Sequence, residues 1–333
     1  MNSDSESTCT VSNQYGPSII EASSVGSIAY SRLEEGGKGA IHSAFDGAIN
    51  ILLNGGLVSL VPEAAERGPL NITLRLPIGS PMASSLEART GEKVKVQGLT
   101  LELGNHHRIL FGSAGIYSPK RKFTLPMLQE NEIAENLEVM RKTALLFGNM
   151  SGLGELLALV RPRAARAKTG DLNIFASAAI SRIIRLEQAF RSEEKNVMAD
   201  AVSELIGLGP GLTPSSDDML AGLVLLCVLY AKNRGRMQRN SQLIAQVTTR
   251  EAPGRTTILS EEYLRQAASG RGNEPVMRLC AALLTGRRES VVRETKRVLA
   301  IGETSGTDTV LGIVLGTMLC MGKYSSLAWR ESE

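Results

Sequence analysis

A chain of 333 residues, 43% hydrophobic and 21% charged, carries enough apolar material for one large or two ordinary packed domains, which excludes a disordered or fibrous polypeptide. The formal net charge of +3 is too small for a nucleic-acid surface, and the short basic runs RPRAARAK at 161–168 and KNRGRMQR at 232–239 read as solvated faces. Cys9, Cys227, Cys280 and Cys320 form no C-x-x-C pair and three lie in apolar helical stretches, predicting buried thiols in a reducing compartment and no disulfide framework or zinc site.

In chain order, residues 1–16 (MNSDSESTCTVSNQYG) are polar and serine-rich and lack the basic and apolar regions of a secretory leader. They read as a disordered tail. Residues 17–122 are mostly strand-like. Ala48–Leu53 and Leu57–Val61 flank an Asn54-Gly55-Gly56 turn, the signal of a hairpin. NITLRLP at 71–77, KVKV at 93–96 and LTLEL at 99–103 alternate, with Pro62, Pro69 and Pro77 as strand ends. The period then changes near 119–125. Leu128, Ile133, Leu137, Met140 and Leu145 recur at helical spacing, as do Ile174, Ala178, Ile183, Leu186 and Phe190. The prediction is an α+β protein: a small β-rich N-terminal domain at 17–122 followed by a larger, mainly α-helical domain at 123–325. The longest apolar run, Met219–Ala231, is short for a bilayer, so the expected setting is the cytoplasm, with no membrane partner.

Within the helical half, GLGPGLTPSSDDMLAG at 207–222 poses the functional question. Thr213 is the expected N-cap, Pro214 suits the first helical position, and Asp217 and Asp218 complement the helix dipole. Capping alone does not require Gly207, Gly209 and Gly211 in alternation. Such a loop exposes backbone N–H groups beside a helix N-terminus, where an anion binds. The following helix is apolar nearly all round, which places the two acids in the protein interior, where they need partners. These are a ligand's N–H groups, an arginine, or a metal such as Mg²⁺. No lysine follows the last glycine as in a Walker loop, and no strand feeds it as in a dinucleotide fold.

IGETSGTDTVLG at 301–312 repeats the pattern, with Asp308 and Gly312 spaced as Asp218 and Gly222 are. Four residues place acid and glycine on one helix face, and the glycine admits a close neighbour. Two similar helix starts facing one site follow as an expectation. Asp217, Asp218 and Arg255 are the candidate catalytic residues, with Arg255 in a Pro-Gly-Arg-Thr-Thr loop fit to clamp a carboxylate or phosphate. Gly209, Gly211, Thr213, Ser215, Ser216, Ser305 and Asp308 are the candidate ligand-binding set. His106 and His107 are adjacent and point to opposite faces of a strand, so they do not chelate one metal. His42, Ser43 and Asp46 lack the G-x-S-x-G elbow that a hydrolase triad on an α/β scaffold would show.

LIGLGPGLTPSSDDMLAG at 205–222 closely resembles the signature of the AllH-like family, and matches continue through HSAFDGAINIL at 42–52, LSEEYLRQAASGRGNEP at 259–275 and IGETSGTDTVLG at 301–312. The resemblance covers the chain from about residue 40 to 320. One departure is Ser216, where the family usually has glycine; a serine implies either that the position does not require a positive φ or that a slightly different ligand is held. The resemblance implies a subunit of an oxamate carbamoyltransferase in allantoin degradation, exchanging carbamoyl phosphate and oxamate with oxalurate and phosphate. It further implies an oligomeric assembly with FdrA-like and AllG-like subunits. The alternatives are a non-catalytic interaction subunit of that complex and a Mg²⁺-dependent amide hydrolase.

Overall fold

A computed structural model describes residues 17–63, 65–77, 79–120, 122–160, 172–234 and 239–323. The expected N-terminal tail and the basic run at 161–168 lie outside the described residues, as does the middle of the run at 232–239. The chain divides into two compact units, one ending at Tyr117 and the other beginning at Ser118.

The first unit is a β-barrel. Its strands are β1 (Ser18–Gly26), β2 (Gly37–Ala44), β3 (Ile49–Leu53), β4 (Gly56–Pro62), β5 (Asn71–Leu74), β6 (Lys93–Gln97), β7 (Thr100–Leu103), β8 (His107–Leu110) and β9 (Gly115–Tyr117). Round the barrel the order is β1-β5-β4-β3-β2-β6-β7-β8 and back to β1. β1 closes it by using both edges: Ser18–Glu21 pair in parallel with β8, while Ala22–Val25 pair antiparallel with β5. A bulge between Ala22 and Ser24 lets one strand serve both partners. β9 then adds in parallel to the last residues of β1. Closure leaves these strands no free edge, and alternate residues fill the interior: Ile49, Ile51, Leu53, Val58, Leu60, Ile72, Leu74, Val94, Val96, Leu101 and Leu103.

The hairpin between β3 and β4 turns through Asn54 at φ 49° and Gly55 at φ 80°. Two positive φ angles suit the right-handed twist of the paired strands, which is why asparagine and glycine stand there. Two short helices interrupt the strand-like reading of this region, α1 (Ser27–Glu34) and α2 (Met82–Ser85). Ala29 and Leu33 of α1 join the barrel core. Ser43 belongs to a hydrogen-bonded chain in which its hydroxyl accepts from Asn50 Nδ2 at 3.0 Å and Ser59 donates to Asn50 Oδ1 at 2.7 Å. With Ser43 committed there and Asp46 exposed, the arrangement is structural.

The second unit is helical: α3 (Glu130–Phe147), a 3₁₀ turn (Gly154–Ala158), α4 (Ile174–Ser192), α5 (Lys195–Ser203), α6 (Ser215–Asn233), α7 (Arg239–Glu251), α8 (Ile258–Ala268), α9 (Glu274–Thr285), α10 (Arg288–Leu299) and α11 (Ser305–Cys320). Starts are capped as their sequences dictate. Gln129 and Glu132 form a capping box on α3, and the Asn173 side chain accepts the first N–H groups of α4. α6 and α11 are buried on nearly every side and form the unit's centre, with α3, α8 and α10 packed around them. Glycine brings these two helices together. A methyl on Gly222 would lie 2.3 Å from the Thr309 carbonyl oxygen, and one on Gly312 would lie 1.9 Å from that of Met219. No helix among the described residues is long and apolar enough to cross a membrane.

Candidate functional site

The glycine contact sets α6 and α11 side by side about two turns after their starts, and their N-termini converge. Thr213 Oγ1 and Ser305 Oγ, one from each start, are 3.2 Å apart. This bridge corrects the expected capping: Pro214, with φ −50° and ψ 140°, occupies the N-cap of α6, and the Thr213 hydroxyl reaches across to the other helix.

The loop before α6 takes its shape from Gly207, Gly209 and Gly211, with φ of 82°, 128° and 86°. A methyl on Gly209 would lie 2.7 Å from the Ser215 nitrogen, so only glycine lets the loop fold back on the helix start. Ser216 and Asp217 fasten it. The Ser216 hydroxyl accepts from Leu208 N–H at 3.0 Å and lies 2.5 and 2.8 Å from the carbonyl oxygens of Leu205 and Leu208. Its backbone N–H donates to the Leu208 carbonyl at 3.1 Å, so this helix-start donor is satisfied within the protein. Asp217 Oδ1 accepts Gly207 N–H at 2.8 Å, and its Oδ2 accepts the Thr256 hydroxyl. Burial raises the Asp217 carboxyl, while the Thr256, Gly207 and Ser260 groups lower it. Ser216 lies within α6 and has no positive φ, which accounts for a serine being accommodated.

Asp218 and Asp308 differ from Asp217. Burial pushes the Asp218 carboxyl well above the usual carboxylate range, against the Ser305 and Thr213 hydroxyls beside it; Asp308 and Asp217 push it further. Its Oδ2 is shielded from solvent and has no hydrogen-bond partner. Asp308 is fully buried, and its Oδ1 accepts the Leu153 N–H at 2.7 Å. Burial raises it to about 6, opposed by Ser215, the Leu153 N–H and Thr304. Asp308 Oδ2, like Asp218 Oδ2, is buried without a hydrogen bond. Two interacting carboxyls at the starts of adjacent helices each keep one acceptor unused. That is an unusual state for buried oxygens, almost all of which are paired.

A third segment completes the wall and was not singled out from the sequence. Asn149 N–H donates to Thr307 Oγ1 at 3.0 Å, fastening the loop after α3 to α11. Asn173 Nδ2 donates to the Gly152 carbonyl at 2.8 Å, fastening it to α4. A methyl on Gly152 would lie 2.5 Å from Asp308 Oδ2 and 2.9 Å from Ser215 Oγ, so glycine is what leaves the carboxyl its place. The stretch GNMSGLGE at 148–155, with three glycines around a polar turn, was the available signal. Tyr263 of α8 is a further neighbour: burial first, then Asp218, pushes its phenol up to about 12, so it is neutral and a donor.

Thr213, Ser215, Asp218, Ser305 and Asp308 are thus brought together. Asp217 and Ser216 serve the loop's own architecture, and Gly209 and Gly211 give it shape. Arg255 is placed differently from its expected role. Its backbone carbonyl would meet a methyl on Gly207 at 2.6 Å, while its side chain is 53% exposed and lies 3.8 Å from Glu251. Among the described residues, no group of three or more His, Cys, Asp or Glu side chains is arranged to hold a metal ion. His107 opens β8 with Nδ1 on the Ser18 hydroxyl, and Cys227, Cys280 and Cys320 are buried free thiols, while Cys9 lies outside the described residues.

A barrel joined in sequence to a helical unit, in which two glycine-apposed helices bring the buried Asp218 and Asp308 together at their starts, defines an α+β protein. The model described as AllH family N-terminal domain matches residues 21–116, and that described as oxamate carbamoyltransferase subunit AllH matches residues 205–317. Together they cover more than half of the chain, which belongs to the AllH family. No solved structure matches it.

Proposed function

We propose that the paired helix starts bind the amide or ureido end of a carbamoyl-transfer substrate in an oxamate carbamoyltransferase complex. The observation that carries this reading is the pair of unpartnered buried oxygens, Asp218 Oδ2 and Asp308 Oδ2. A carboxylate oxygen accepts N–H donors, and a primary amide or urea presents them in pairs. A phosphate or oxalyl carboxylate placed directly on the acids would be repelled, so the anionic end of the ligand points away from them.

In the degradative direction, a phosphate oxygen attacks the ureido carbonyl of oxalurate, the bond from that carbon to the oxamate nitrogen breaks, and the nitrogen gains a proton. The products are carbamoyl phosphate and oxamate. Burial favours the protonated form of Asp218, which supplies that proton and regains one from the attacking hydrogen phosphate, while Asp308 accepts the substrate N–H. Thr213, Ser305 and the Tyr263 phenol are the donors for oxygens on which charge develops.

The arrangement also favours a shared site. The carboxyls are held by hydroxyls and backbone N–H groups, the Ser216 N–H is used internally, and the Arg255 guanidinium turns to Glu251. A cation for the phosphate is therefore expected from a partner, of the FdrA-like or AllG-like type. In the reconstituted complex, Asp218→Asn and Asp308→Asn are each expected to lower turnover about 100-fold or more, with thermal melting intact. Near-normal turnover in both would refute the reading. Calorimetric titration of the isolated chain with oxalurate separates the roles: binding places the substrate here, and its absence assigns the chain to an interaction role.

A further inference from the structure

A second cavity lies at the far end of α6. It has a volume of about 210 Å³ and sits between the last turns of α6, the first two turns of α7 and the end of α8. Its walls are small, with the methyls of Ala231, Ala245 and Ala268 where larger side chains would close it. Its polar lining is Lys232, Ser241, Gln242 and Gln246, a cation, a hydroxyl and two carboxamides, with no carboxylate. The Lys232 ammonium donates to the Ser269 carbonyl at 3.4 Å, next to Ala268 of the cavity wall. Gln242 and Gln246 are four residues apart and so share one face of α7.

Two independent features indicate what this cavity takes. Ser241 stands in the first turn of the 13-residue helix α7, whose N-terminus carries the positive end of the helix dipole. The Ser241 hydroxyl is also 1% exposed and has no hydrogen-bond partner, although it lines the cavity. A buried hydroxyl without a partner is destabilising in the empty protein and is satisfied by a ligand oxygen. The space exceeds that of one water molecule. We propose that this cavity is a binding site for a compact oxyanion, a phosphate or a small carboxylate, held by Lys232 and the Ser241 hydroxyl and separate from the aspartate site at the other end of α6.

The test is calorimetric titration of the full chain with inorganic phosphate and, separately, with succinate. Binding of at least one is expected, weakened about tenfold or more in Lys232→Met, which removes the charge. Ala268→Leu fills the cavity while keeping every polar group, and is expected to weaken the same ligand as strongly with normal thermal melting. Phosphate binding alone identifies a phosphate site, and succinate binding alone a carboxylate site. No heat with either ligand up to roughly 10 mM, or affinity unchanged in both variants, would overturn the proposal.

Discussion

Asp308 shows how one buried side chain ties stability to pH. Its folded value of about 6 lies above its ordinary 3.8, so the folded protein holds a proton there that the unfolded chain releases between those values. The resulting stabilisation is fully present below about pH 4 and is lost as pH rises through 6. The displacement corresponds to a contribution on the order of 3 kcal/mol. Asp308→Asn keeps an acceptor for the Leu153 N–H and removes the charge. Thermal melts of this variant are expected to lose the decline between pH 4 and 6 and to match or exceed the wild-type melting temperature at pH 7. An unchanged pH slope would show that another group carries it. If Asp308 binds substrate as proposed above, its ionisation sets stability against activity.

At the scale of elements, the α6–α11 pair rests on glycines whose roles are graded by distance. A methyl on Gly312 would lie 1.9 Å from a main-chain oxygen, which cannot retreat; one on Gly316 would lie 2.8 Å from the Leu223 carbonyl oxygen. Replacing a helical glycine by alanine gains about 1 kcal/mol in backbone entropy, and overpacking costs about 1–3 kcal/mol. Both oxygens are main-chain atoms, so both variants are expected to destabilise in urea unfolding, Gly312→Ala more than Gly316→Ala. The Asp-x-x-x-Gly echo announces both helices and a close neighbour at each glycine; that each helix is the other's neighbour comes only from the fold. The division of labour among the acids is not legible in the sequence. Asp217 and Asp218 are neighbours in sequence, and only the fold shows that one is bonded to Gly207 and Thr256 while the other faces Asp308. Nor does local sequence reveal Gly152 and the Leu153 N–H, because their partner is more than 150 residues away. The turn-rich loop of Arg255 sets its carbonyl against Gly207 and its guanidinium beside Glu251, a placement that its local sequence does not encode.

For the whole molecule, each unit has its own hydrophobic core. The barrel was foreseen as β-rich through its hairpins and alternating runs, but closure depends on β1 pairing with β5, β8 and β9, which no local pattern encodes. Separate cores predict separable responses in scanning calorimetry. Gly312→Ala is expected to shift a transition belonging to the helical unit. Gly39→Ala, whose methyl would lie 2.1 Å from the Leu52 carbonyl oxygen, is expected to shift a transition belonging to the barrel. A single transition moved equally by both would show that the cores melt as one.

Main-chain contact between α6 and α11 has a kinetic corollary. The spacing of the Asp218 and Asp308 main chains is gauged by peptide groups and not by adjustable side chains. Both unpartnered oxygens are shielded from solvent, so under the binding reading proposed above a ligand waits for the helix starts to open. Stopped-flow association is then expected to saturate at high ligand concentration, whereas a rate that stays linear would show that no opening step precedes binding.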